Sequence, residues 1–93
     1  MALLFEWDTA KAEQNRRKHN VDFAEATTVL ADRLSLTFPD PDHSLDEHRY
    51  ITFGVSHSGR PLVVAHTDRG NKIRIISARE MTQGERRYYE ESK

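Results

Sequence analysis

Apolar and polar positions along the 93-residue chain change period several times, and the changes predict its elements. Leu3, Phe5 and Trp7 alternate with Leu4, Glu6 and Asp8, the pattern of a short half-buried strand. Asp8 or Thr9 then caps a helix from about Ala10 to His19, with Ala12, Asn15 and His19 facing inward. Lys11, Arg16, Arg17 and Lys18 fall on its solvated side, and His19 reads as a hydrogen-bonded interior residue. A second helix starts at a capping box, Asp22 with Glu25, and Val21 is placed to staple against Ala26. Phe23, Ala26, Thr27 and Leu30 give it an apolar stripe that ends near Asp32.

Alternation then takes over. Leu34, Leu36 and Phe38 predict a strand facing the helices, ended by Pro39. From Arg49 to Ser56, Arg49, Ile51, Phe53 and Val55 share one face, and Tyr50, Thr52, Gly54 and Ser56 the other. His57 to Arg60 is a turn, Pro61 opens a strand through Thr67, and Asp68 to Asn71 turns the chain again. In the final run, Lys72 to Arg79, Ile73, Ile75 and Ser77 fall on one pleat face and Arg74, Ile76 and Ala78 on the other. Its middle is apolar on both sides, as in a central strand. Thr82 with Glu85 forms a second capping box, opening a polar helix that must dock through its tyrosines or be ordered by a partner. The expected architecture is α+β and a single domain over residues 1–93: a short N-terminal strand, two helices, a three- to four-stranded antiparallel sheet and a C-terminal helix.

Length supports that reading, because a chain of this size buries roughly 60 to 68% of its unfolded surface around one modest core. There is no cysteine, which excludes a disulfide framework and a thiolate metal site. The opening residues carry no basic segment and reach Glu6 early, so neither a signal peptide nor a membrane span is expected, and the cytoplasm is the predicted location. Net charge is −1 overall but uneven: residues 1–59 carry −4 and residues 60–93 carry +3. Such asymmetry fits either a basic face on the C-terminal half or scattered surface charge.

The loop from Asp40 to His48 is rich in carboxylates and imidazoles, yet Leu45 and Ile51 stand where a calcium loop starting at Asp40 needs glycine and glutamate. His43 and His48 lack a third zinc ligand of convincing spacing, so neither a metal nor a cofactor is expected. Arg74 is more telling. A guanidinium in a central strand needs an anion, either a substrate phosphate or a carboxylate such as Glu47 or Glu80, and phosphate is the favoured partner.

The element order, with basic residues concentrated on the last strands and helix, resembles RelE-like ribonucleases. Phe5-Glu6-Trp7-Asp8, Lys11, Asn15, Lys18-His19, Val21, Phe23 and Glu25-Ala26, followed by Arg74 to Arg79 and then Glu85-Arg86-Arg87 with Tyr89, resemble the BrnT family of bacterial toxins. Asn20 stands where family members commonly have glycine, and asparagine also tolerates the left-handed conformation that ends a helix. The resemblance implies the toxic half of a type II toxin-antitoxin pair. Such a toxin cleaves RNA, is neutralised by a BrnA-like antitoxin with a ribbon-helix-helix part, meets DNA only through that antitoxin, and forms oligomeric complexes with it.

The residues themselves suit metal-independent RNA cleavage, in which the ribose 2′-OH attacks the adjacent phosphorus and charge grows on the non-bridging oxygens. Arg74 and Arg79 are assigned to that charge, Arg49, Arg69 and Lys72 to nearby phosphate contacts, and His66 either to proton transfer or to a half-buried strand position with a backbone partner. Arg86, Arg87 and Tyr88 either complete the RNA surface from the last helix or simply face solvent, whereas Trp7 and Tyr89 read as packing residues. The rival class is a non-catalytic interaction module that binds a partner protein and nucleic acid with the same side chains.

Overall fold

The computed structural model describes residues 3–41 and 47–92. In chain order they form β1 (Phe5–Glu6), α1 (Thr9–His19), α2 (Phe23–Leu30), β2 (Leu36–Pro39), β3 (Arg49–Val55), β4 (Pro61–Arg69), β5 (Lys72–Glu80) and α3 (Gln83–Ser92). The sheet order is β1-β5-β4-β3-β2. The four later strands are antiparallel, as the alternation implied, but β1 adds itself parallel to β5 through Phe5 and Glu6, so the sheet is mixed and five-stranded.

Local signals explain most boundaries. Asp8 caps α1 by accepting from the Lys11 amide at 3.0 Å, and Asn20 ends it in the left-handed conformation at φ 57°. The α3 capping box forms in both directions between Thr82 and Glu85. The box expected at α2 does not form. Asp22 makes no side-chain cap bond, and Glu25 is drawn away to Arg60, Ser56 and Ser58 on the β3–β4 turn. A charged, bidentate partner outcompetes a single backbone amide.

Val21, Phe23, Ala26 and Val29 pack on Leu62, Val64, Ile75 and Ala78, with the Trp7 ring edge-on to Phe23. This core occupies one face of the sheet, and the side of β3 that meets it is not the apolar one. Thr52, Gly54 and Ser56 are buried toward the helices, while Ile51, Phe53 and Val55 lie on the opposite face together with Leu36 and Phe38 of β2. The reason is clearance. A Cβ on Gly54 would stand 2.9 Å from Val29 Cγ1, so α2 crosses here only because the strand offers small residues. The expectation that Leu34, Leu36 and Phe38 face the helices is overturned on the same ground, and Leu34 is exposed.

Strict alternation also fails in β5. Ala65 pairs with Ser77 but His66 pairs with Ile75, so Ile76 is an extra residue and the strand bulges there. Beyond it the parity reverses: Ala78 joins Ile75 on the helix face, and Ser77 turns to the other. Asn15, buried in α1, secures the same segment. Its amide nitrogen donates to the Val21 and Ala78 carbonyls at 3.0 and 2.8 Å, and its oxygen accepts from the Ala78 amide at 3.1 Å. It thus does for β5 what a neighbouring strand would do, beyond the point where the two-residue β1 stops.

Candidate functional site

Cross-strand partners share a face, so the register fixes where each basic side chain points. Arg49 and Arg74 both pair with Thr67, Arg69 pairs with Lys72, and Arg79 pairs with Val63. Thr67, Arg69 and Val63 have one parity on β4. The five cations therefore leave from the face that α1 and α2 do not cover. In a regular strand Arg74 and Arg79, five positions apart, would point to opposite sides, and the bulge at Ile76 brings them to the same one. A cleft of about 230 Å³ opens there, floored by Ile51, Val63, Ala65 and Ile76 and rimmed by Asp40, Arg49, Ser77 and Arg79. Of the predicted residues, Arg49 and Arg79 meet at this cleft; Arg74, Arg69 and Lys72 stand on the same face toward β1 and the β4–β5 hairpin.

The guanidinium groups already have carboxylate partners. Arg79 holds Glu85 through Nη1 and Nη2 at 2.7 and 2.8 Å, which keeps the Glu85 carboxyl down at about 2 and raises the Arg79 pKa. Arg49 Nε donates to Glu47 at 3.1 Å. Arg74 Nη1 donates to Glu6 at 2.7 Å, and Arg69 lies 3.9 Å from the same carboxylate. The anion facing Arg74 is thus neither Glu47 nor Glu80 but the residue beside it on β1, a partner that only the parallel pairing could reveal. Pairing leaves donors over: Arg74 Nε and Nη2 make no hydrogen bond among the described residues.

His66 does not join this group. It pairs with Tyr50 and Ile75 on the helix-covered face, 6% exposed, with its ring stacked on Tyr50 at 5.8 Å. Its Nε2 meets Thr52 Oγ1 at 2.7 Å, and Thr52 in turn meets Thr37 Oγ1 at 2.8 Å. Nδ1 is buried without a hydrogen-bond partner among the described residues, and burial lowers the imidazole pKa more than nearby Asp68 raises it. His66 thus stands on β4 beside the central strand, as expected, but alternation puts it on the opposite side of the sheet from Arg74 and Arg79, so the structure does not bring it to them.

From α3, Tyr88 meets Phe38 on the open face with ring centroids 6.5 Å apart, and Phe38 meets Phe53 edge-on at 5.9 Å. Tyr88 is 55% exposed, so a ring face is presented beside the cleft. Arg87 is exposed, and Arg86 reaches Glu90 at 3.4 Å along the same helix. Tyr89 points the other way. It is buried, donates to Asp32 at 2.9 Å, and has its phenol pushed up to about 12 by burial and by that carboxylate.

The α+β scaffold that carries this cleft agrees with what known proteins show. A family model described as the ribonuclease toxin, BrnT, of type II toxin-antitoxin systems matches residues 7–85. The chain belongs to the BrnT family. The crystal structure of the Brucella abortus ribonuclease toxin BrnT is similar to it with a TM-score of 0.69 and 25% identity, covering 88% of this chain and 100% of that one. No curated protein matches the sequence. As a BrnT toxin, the chain is a ribonuclease toxin of a type II toxin-antitoxin system.

One part of this BrnT surface escaped the sequence reading. Lys11, Lys18 and His19, assigned to a solvated face and the interior, line a notch of about 290 Å³ between α1 and β5, together with Gln14, Asn15, Ile76 and Ser77. Lys11 stands four residues before Asn15, and Lys18 and His19 three and four after it, which places them on one helical side and was the available signal. Arg16 and Arg17 instead pair with Glu13. His43 and most of the acidic loop lie outside the described residues. Among the described residues no three His, Cys, Asp or Glu side chains group as metal ligands, and no helix is long and apolar enough to cross a membrane.

Proposed function

We propose that this BrnT-family toxin is an endoribonuclease that works on the open face of its sheet, by attack of the ribose 2′-OH on the adjacent phosphorus without a metal ion. The O2′–P bond forms as the P–O5′ bond breaks, the 2′-OH proton is removed and O5′ is protonated, leaving a 2′,3′-cyclic phosphate and a 5′-hydroxyl. Arg79 and Arg49 bind the scissile phosphate from the two sides of the cleft, and Arg74 supports the charge from the β1 side. Arg69 and Lys72 hold the strand toward the hairpin, Arg86 and Arg87 toward α3, and Tyr88 offers a base-stacking ring over Phe38. Glu85 and Glu6 orient the guanidinium groups, which present their remaining N–H donors to phosphate. The supporting observation is the register, which sends five cations to one uncovered face.

A BrnA-like antitoxin with a ribbon-helix-helix part would silence the toxin by covering this face, carry the DNA contacts itself, and assemble with it as an oligomer in the cytoplasm. The carboxylate pairing of Arg49, Arg74 and Arg79 favours a second reading, in which these residues only dock partners. Purified protein incubated with RNA in EDTA separates the two. Cleavage to cyclic-phosphate ends, reduced about a hundredfold in Arg79→Ala, supports the enzyme. Intact RNA supports the module, and cleavage that stops in EDTA and returns with magnesium overturns the metal-free step.

A further inference from the structure

Two concave regions of this surface share a wall. Ile76 and Ser77 line both the cleft on the open face and the notch between α1 and β5. The notch exists because β1 is only two residues long and pairs no further than Glu6 with Arg74, so the edge of β5 beyond it faces α1 across a gap. Asn15 spans that gap at Ala78 only.

The charges of the two regions differ in kind. Around the cleft the arginines are engaged by carboxylates. In the notch no acidic side chain lines the wall, and Lys11, Lys18 and His19 make no ion pair or side-chain hydrogen bond among the described residues. On the other flank of α1, Arg16 and Arg17 are both matched to Glu13. Ammonium groups that make no ion pair among the described residues, although Asp8 exerts a Coulombic pull on Lys11, and that line a groove continuing from the proposed phosphate site attract the next part of the same polyanion.

Resting on the ribonuclease reading, we infer that the notch is a second RNA-binding subsite. The strand passes from the cleft over Ser77, at the bulge, and a backbone phosphate flanking the scissile one is held by Lys11 and Lys18 beside His19. Ser77, exposed at the crossing point, lets the backbone pass close to the sheet edge.

The test uses a single-stranded RNA of about twelve nucleotides, methylated at every 2′-oxygen so that it binds without being cleaved, and fluorescence anisotropy over a range of salt. The Lys11→Ala/Lys18→Ala variant is expected to bind about tenfold more weakly at low salt, and its log affinity against log salt to be shallower by about 0.7 for the one flanking phosphate. Arg16→Ala, on the other flank, is expected to match wild type. Both lysines are exposed, so the variant is expected to retain the wild-type melting curve.

An unchanged slope in the double variant, with wild type binding and cleaving RNA, overturns the subsite and spares the ribonuclease reading. So does an equal loss in Arg16→Ala, which would reduce the effect to net charge, or a loss of antitoxin binding with RNA binding intact. Wild type that neither binds the oligonucleotide nor cleaves unmodified RNA overturns both readings.

Discussion

Arg79 and Glu85 meet through two parallel hydrogen bonds, so one carboxylate fixes a cleft guanidinium and closes the first turn of α3. Glu85→Gln keeps the side-chain shape and removes the charge. The expected result is a fall in kcat of about tenfold, from a guanidinium no longer aimed into the cleft, with a loss of about 1 kcal/mol in stability for a pair this exposed. Arg79→Lys is expected to leave most of the activity unrecovered, because an ammonium cannot make the bidentate contact. An unaltered kcat in Glu85→Gln, measured beside a urea melt, would separate Arg79 from the chemistry.

His66 contributes to stability rather than to cleavage if its buried position defines its role. His66→Ala is expected to cost about 2 kcal/mol, through a cavity and the lost hydrogen bond to Thr52, which keeps only Thr37 as a partner, while activity per folded molecule stays near wild type. The sign with pH follows from burial. The folded pKa lies below the unfolded value near 6.5, so above that pH the stability is fully present, and below it the unfolded chain takes up the proton first. The melting temperature should therefore decline below about pH 6.5 in wild type and decline less in His66→Ala.

Glu25 gives a second, more acidic window. Arg60 grips it at 2.6 and 3.0 Å, and Ser56 and Ser58 donate to it, which holds its pKa near 2 against an ordinary 4.5. A depressed carboxylate stabilises fully above its unfolded pKa and loses that contribution as pH falls through the folded one. Urea melts of wild type between pH 5 and about 2 are expected to show this loss. Glu25→Gln should begin weaker by about 2 kcal/mol at neutral pH and run flatter below pH 4.5. Parallel curves would remove Glu25 from the acid transition.

Asn15 is the fourth test. Asn15→Ala abandons both polar groups of Ala78 in a buried setting and should cost about 3 kcal/mol. Hydrogen exchange is the sharper readout: the Ala78 amide should lose protection ahead of the paired positions on β4.

The elements of this fold were legible where a local physical cause set them. Asp8, Asn20 and the Thr82–Glu85 box mark helix ends by chemistry confined to one turn, and the later strands, with Phe23, Ala26 and Leu30 of the α2 stripe, followed from periodicity, whereas Val29 rather than Thr27 completes the buried side. What escaped was decided by tertiary partners. Glu25 satisfied a capping pattern yet serves Arg60, thirty-five residues away. The apolar side of β3 looked like the core side, but α2 needed the clearance of Gly54 and took the other. Arg74 was recognisable as a cation in need of an anion, whereas Glu6 as that anion depended on a parallel pairing that two residues of sequence do not announce. The open face itself was anticipated from the basic C-terminal half, and the lysine notch was visible only once α1 had been set beside β5.

The extra residue at Ile76 turns the interval between Arg74 and Arg79 into a ruler with an odd number of divisions. A ladder without that irregularity would have to shorten the interval by one position for both guanidiniums to look outward together. Length therefore constrains this segment as tightly as side-chain identity does: lengthening the interval by one residue while the bulge persists would hide one arginine under the helices, even with every charged group retained.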